Sequence, residues 1–146
     1  MATMMKFKKL TPTAQTPTRG SKYAAGYDLS ADVGSNVIIA PHTTIKIGTG
    51  IAVELPENTF GAIYARSGIA SKEGLRPANC TGVVDEDYRG ELVVALHNDS
   101  DVMRIVEPGE RIAQFVVQPY VSVEFEEVEA LSTTVRGVGG FGSSGK

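Results

Sequence analysis

Short runs of β-branched and apolar residues, each cut within a few positions by glycine, proline or asparagine, limit what this chain can become. Residues 27–31, 37–40, 43–47, 50–55, 60–65, 103–106, 111–117 and 121–127 have the length and side chains of strands, and 5–10 reads as a short first strand with a positively charged edge. Pro12, Pro17 and Gly20 make 11–22 an extended loop, while Pro41-His42, Pro56-Glu57-Asn58 and Pro108-Gly109 mark turns. Residues 69–74 (IASKEG) alone read as a helix, a short one stopped by Gly74. With no other helical period and no internal repeat, the pattern predicts an all-β sandwich, jelly roll or barrel with one short helix. At 146 residues this is one domain, long enough to bury a core.

The densest chemistry lies in residues 79–98, NCTGVVDEDYRGELVVALHN. Val83 and Val84 suit one strand and residues 92–96 another, so the stretch reads as a hairpin with Asp85, Glu86, Asp87, Tyr88, Arg89, Gly90 and Glu91 at its tip. A solvated tip would account for this composition; so would a functional loop, since loops on rigid sheets are where binding groups concentrate. Arg66-Ser67-Gly68 follows a strand and opens the helix, which places backbone N–H donors beside a permanent guanidinium charge, an arrangement suited to anions. Arg111 and Gln114 in GERIAQF are three apart on a strand, which predicts opposite faces. Asp28, just past Gly26, is either a metal-facing carboxylate or a solvated edge residue. His42 and His97 stand too far from other ligand types for a metal cage or a nucleophile pair. The final RGVGGFGSSGK cannot pack a core; it is a linker-like tail or a segment that closes over a ligand, with Arg136 and Phe141 set in a glycine frame.

Bulk properties exclude several classes. A net charge of −3 and a pI near 5.4 argue against direct nucleic-acid binding through bulk electrostatics, though local arginines still suit a small anion. Cys80 is the only cysteine, so no intrachain disulfide forms and a reducing cytosol is compatible. The opening MATMMKFKKL lacks a secretory h-region, and no apolar run reaches membrane-spanning length. The expectation is a soluble, cytoplasmic protein without membrane contact.

Taken in order, AAGYDLSA, ARSGIA, NCTGVVDEDYRGE, GERIAQ and RGVGGFGSSG span almost the whole chain and closely resemble the five motifs of the trimeric deoxyuridine triphosphatases (dUTPases); KFKKLTPTAQTPTRGSKYAAGYDL is similar to that family's N-terminus. The resemblance implies a distorted jelly-roll or β-barrel domain over 1–135 and a C-terminal arm over 136–146. It further implies a homotrimer whose three sites are shared between subunits and closed by the arm. It makes Asp85 the carboxylate that holds the attacking water. Tyr88 packs under the deoxyribose, and Asn79 with the backbone of Gly82 and Val84 reads the uracil edge. Arg66, Ser67, Gly68 and Gln114 hold phosphates. Arg136 and Ser144 meet the terminal phosphate, Phe141 covers the uracil ring, and Gly142 and Ser143 belong to the same substrate-binding run. Asp28 contacts Mg²⁺ through water. Ser144 stands where threonine is common, keeping the hydroxyl and losing a methyl.

The implied reaction releases dUMP and pyrophosphate. A triphosphate must be neutralised before it is attacked, which Mg²⁺ on its oxygens and arginines achieve. A free aspartate, with a pKa of about 3.9, is a weak base, so positioning and charge stabilisation carry more of the rate than proton abstraction. Cytosine would leave buried donors unpaired, whereas thymine's one methyl demands a rigid backbone wall, because a merely hydrophobic pocket discriminates only about 10–200-fold. A dCTP deaminase would need a general-base glutamate that no motif supplies. A nucleotide sensor or a plain jelly-roll binding module are the non-enzymatic alternatives; the latter leaves Arg136 and Phe141 unexplained.

Overall fold

A computed structural model describes residues 4–142. In chain order its elements are β1 (Lys6–Lys9), β2 (Tyr27–Ser30), β3 (Val37–Ile39), β4 (Thr44–Glu54), β5 (Thr59–Tyr64), α1 (Ser67–Glu73), β6 (Leu75–Pro77), β7 (Gly82–Val84), β8 (Glu91–Asn98), β9 (Arg104–Val106) and β10 (Arg111–Pro119). One sheet runs β1-β4-β8-β6, a second runs β2-β10-β5-β7, and β3 pairs with β9. All these pairings are antiparallel. The described strands form open sheets rather than a closed barrel, so the jelly-roll side of the expectation is the one realised.

Period-two alternation builds the core. In β8, Leu92, Val94 and Leu96 are buried while Val93 is exposed. They join Ile47, Ile51 and Val53 of β4 against Leu29, Ile63, Ile112 and Phe115 of the other sheet. Each fully buried aliphatic or aromatic chain contributes roughly 1.5–3 kcal/mol. α1 begins after Arg66, whose backbone is extended, and ends where Gly74 turns left-handed at φ 71° and donates its N–H to the Ala70 carbonyl. Among the described residues, no helix is long and apolar enough to cross a membrane.

Several expectations change. Residues 43–47 and 50–55 belong to one strand: β4 absorbs its glycines as a register shift between Gly48 and Ala52. Gly50 sits there at φ 66°, where an added Cβ would strike both Ala14 and the Asp32 carboxylate. β6, hidden by its proline, is an edge strand, where a missing N–H is tolerated. The hairpin expected within 79–98 does not form: β7 pairs with β5 and β8 with β4 and β6, so residues 85–90 cross from one sheet to the other. Residues 121–127 are not a strand. Their alternation is genuine, but β10 already has both neighbours, and Val121, Val123 and Phe125 lie in solvent at 85%, 64% and 99% exposure.

Candidate active site

The sheet-to-sheet crossover after β7 shapes a cleft of about 200 Å³ that brings together Asn79, Gly82, Val84, Asp85 and Tyr88, with Ile63 as its floor. Its walls are fixed by short-range chemistry. The Tyr88 N–H donates to the Asp85 carbonyl at 3.1 Å, and the Tyr88 hydroxyl donates to the Glu91 carbonyl at 2.9 Å. That folds the ring back over Gly90, where an added Cβ would sit 2.5 Å from the tyrosine oxygen. Glu91 is anchored in turn by the Gly50 N–H at 2.8 Å. Asn79 rides on a tight turn in which Cys80 has φ 62°, and the Cys80 N–H donates to the Pro77 carbonyl at 3.1 Å. Arg76 pins this turn by donating to the Pro77 and Ala78 carbonyls while its Nε meets Asp99 at 2.5 Å. The same bond holds the Asp99 carboxyl below its usual range.

A larger concavity adjoins this cleft, lined by Phe60, Val83, Asp85, Glu86, Asp87 and Tyr120. Asp85 lines both hollows, but Asn79, Gly82 and Tyr88 line only the smaller cleft, so that cleft is the one that brings the expected nucleotide-binding residues together. Glu86 accepts a hydrogen bond from the Tyr120 hydroxyl at 3.1 Å, and this bond raises the phenol above its ordinary range.

Arg66, Asp28, Arg111 and Gln114 form a second cluster where β2, β5 and β10 meet. Arg66 Nε donates to Asp28 Oδ1 at 2.8 Å, and Arg111 Nη1 donates to Asp28 Oδ2 at 3.2 Å. Gln114 Nε2 donates to the Ala65 carbonyl at 2.8 Å, and an added Cβ at Gly26 would lie 2.3 Å from its oxygen. Ser67 and Gly68 open α1 beside Arg66. The expectation of opposite faces for Arg111 and Gln114 fails. Arg111 pairs with Ser30 and Gln114 with Asp28, two residues apart on β2 and hence on one face. A bulge at Ile112-Ala113 takes up the extra residue. Arg111 is therefore a cluster member that sequence reasoning missed; two adjacent apolar residues between polar ones were the available signal.

In the arm, Arg136 Nε donates to the Gly139 carbonyl at 2.8 Å, and Phe141 and Gly142 are exposed. Neither cleft includes them. Ser143 and Ser144 lie outside the described residues. Among the described residues, no three histidine, cysteine, aspartate or glutamate side chains converge as metal ligands, and both oxygens of Asp28 already hold guanidinium groups.

The order of these pieces along the chain has a counterpart. The dUTPase family model matches residues 13–145. This chain belongs to the dUTPase family. A deoxyuridine 5'-triphosphate nucleotidohydrolase of Oryza sativa is 43% identical over 145 residues, 99% of this chain and 82% of the relative. One from Rhodococcus erythropolis is 48% identical over 139 residues, 94% of this chain and 84% of the relative. Among solved structures, the Staphylococcus bacteriophage 80alpha dUTPase with dUPNHPP superposes with a TM-score of 0.91 at 32% identity, covering 99% of this chain and all of that one.

Proposed function

We propose that this dUTP diphosphatase hydrolyses its substrate by attack of a water, oriented by Asp85, on the α-phosphorus of Mg²⁺-bound dUTP. The products are dUMP and pyrophosphate, which limits uracil available to DNA and supplies dUMP for thymidylate synthesis. The observation that carries this reading is the convergence of Asp85, Tyr88, Asn79 and the Gly82–Val84 backbone in one cleft. Asn79 and the β7 backbone present fixed donors and acceptors to uracil, and their rigidity rejects cytosine by leaving groups unpaired. Tyr88, held down on Glu91, packs under the sugar where a 2′-hydroxyl would clash. Arg66, Ser67, Gly68 and Gln114 hold phosphates, and the arm from 136 closes the site, with Arg136 and Ser144 on the terminal phosphate and Phe141 over the base.

A resident protein metal cage does not fit the described donors, so the cation enters with the substrate, held by phosphate oxygens, in keeping with the preference of Mg²⁺ for substrate and water ligands. When bound it neutralises part of the triphosphate charge. No side-chain hydrogen bond links the cleft residues to the phosphate cluster among the described residues, and residues 121–138 are exposed. Both features support a homotrimer in which neighbouring subunits complete one another's sites.

Hydrolysis in ¹⁸O-water tests the point of attack. The label is expected in dUMP; label in pyrophosphate would contradict attack at the α-phosphorus.

A further inference from the structure

The phosphate cluster contains one carboxylate and two guanidinium groups, and the carboxylate is spent on both. Asp28 is the more enclosed partner, its side chain 16% exposed against 25% for Arg66 and 56% for Arg111. Its backbone is equally fixed: the Asp28 N–H donates to the Thr18 carbonyl at 2.7 Å, and β2 pairs it with Gln114. Arg66 Nη1 also reaches the Arg111 carbonyl at 3.4 Å. Two like charges this close would splay apart without a shared counter-ion, yet one carboxylate cancels only one of them. The cluster keeps an excess positive charge, and Nη2 of each guanidinium has no partner among the described residues, which leaves donors for gripping an oligophosphate.

We propose that Asp28 is a positioning residue, a clamp that holds Arg66 and Arg111 side by side as a paired phosphate-binding cation, with Arg111 a substrate-contacting residue in its own right. The bulge at Ile112-Ala113 is the backbone device that makes this possible, because without it Arg111 would point to the other face from Gln114. The inference rests on the reading of the site as a dUTP site, and gives Asp28 a task independent of any metal.

The test is binding of the analogue dUpNHpp to the full chain in EDTA, for wild type, Asp28→Asn, Arg111→Gln and the double variant, with deoxyuridine as a phosphate-free probe. Losing a charge-assisted contact weakens binding by about 10- to 100-fold, and that loss is expected in each single variant without Mg²⁺. Deoxyuridine affinity is expected to stay unchanged, which a general structural defect would not allow. The Asp28→Asn effect is expected to shrink in the Arg111→Gln background, since one residue acts through the other. Arg111 is exposed, so its variant keeps the test valid should Asp28→Asn fold poorly. Wild-type affinity of Asp28→Asn in EDTA, with only its Mg²⁺ half-saturation shifted, overturns the clamp and leaves dUTP hydrolysis standing. Strictly additive losses overturn the coupling. A wild-type chain that binds neither probe overturns both the clamp and the dUTP site.

Discussion

At the scale of single residues, the site depends on small groups that leave room for large ones. Gly90 is the clearest case: its missing side chain is what allows Tyr88 to fold back and donate to Glu91. Gly90→Ala is expected to displace the ring, raise KM for dUTP and narrow the preference for dUTP over UTP, with little change in Tm; steady-state kinetics on both nucleotides checks it. Unaltered sugar discrimination would show that the ring position is not what excludes the 2′-hydroxyl. The chemistry-bearing residues of this region were legible as residue types in order. Their grouping was only partly so, because Arg111 reaches Asp28 through a one-residue bulge, and a strict alternation assigns it to the wrong face.

At the scale of elements, the site sits on the two sheets rather than within either. β7 is only three residues long and is held by β5, where Gly61 faces Val84 and an added Cβ would come 2.3 Å from the buried Phe115 ring. Gly61→Ala is expected to destabilise the fold by about 1–3 kcal/mol through overpacking, read as a lower denaturation midpoint at unchanged m. β6 carries Arg76, whose pairing with Asp99 lies beside the Asn79 turn. The folded-state pKa of Asp99 is depressed below its value of 3.8 in the unfolded chain. Its contribution is therefore present above that unfolded value and disappears as pH falls through the lower folded one. Asp99→Asn is expected to remove this part of the acid-side dependence of Tm and to raise KM for dUTP by loosening the turn. A Tm–pH profile identical to wild type would contradict it. Strand existence followed from local pattern for most of the chain, whereas pairing did not. Val83-Val84 and residues 92–96 read as partners because they are close in sequence, yet burial of both sheets' inner faces sends them to different neighbours.

At the scale of the whole molecule, the part beyond β10 has no packing of its own to explain it. Residues 121–127 alternate like a strand, with Val121, Val123 and Phe125 left in solvent; in the proposed homotrimer a neighbouring subunit is expected to cover them. A single sequence shows the alternation and cannot show which edge receives it. Truncation after Val135 is expected to leave a homotrimer by light scattering, with wild-type Tm and greatly reduced turnover. Full activity of the truncated chain would remove the arm from the mechanism, and a monomeric full-length chain active at wild-type rate would remove the shared site.

The cleft after β7 is proposed to select dUTP, with Asp85 acting within it. Pyrophosphate release from dUTP, dTTP, dCTP and UTP with Mg²⁺, for wild type and Asp85→Asn, tests it most directly. The expected result is selective dUTP cleavage that falls by about 100- to 10,000-fold in the variant while dUTP is still bound. Comparable turnover of all four nucleotides would remove selectivity from the cleft, and a variant that keeps most of its rate would remove Asp85 from the chemical step.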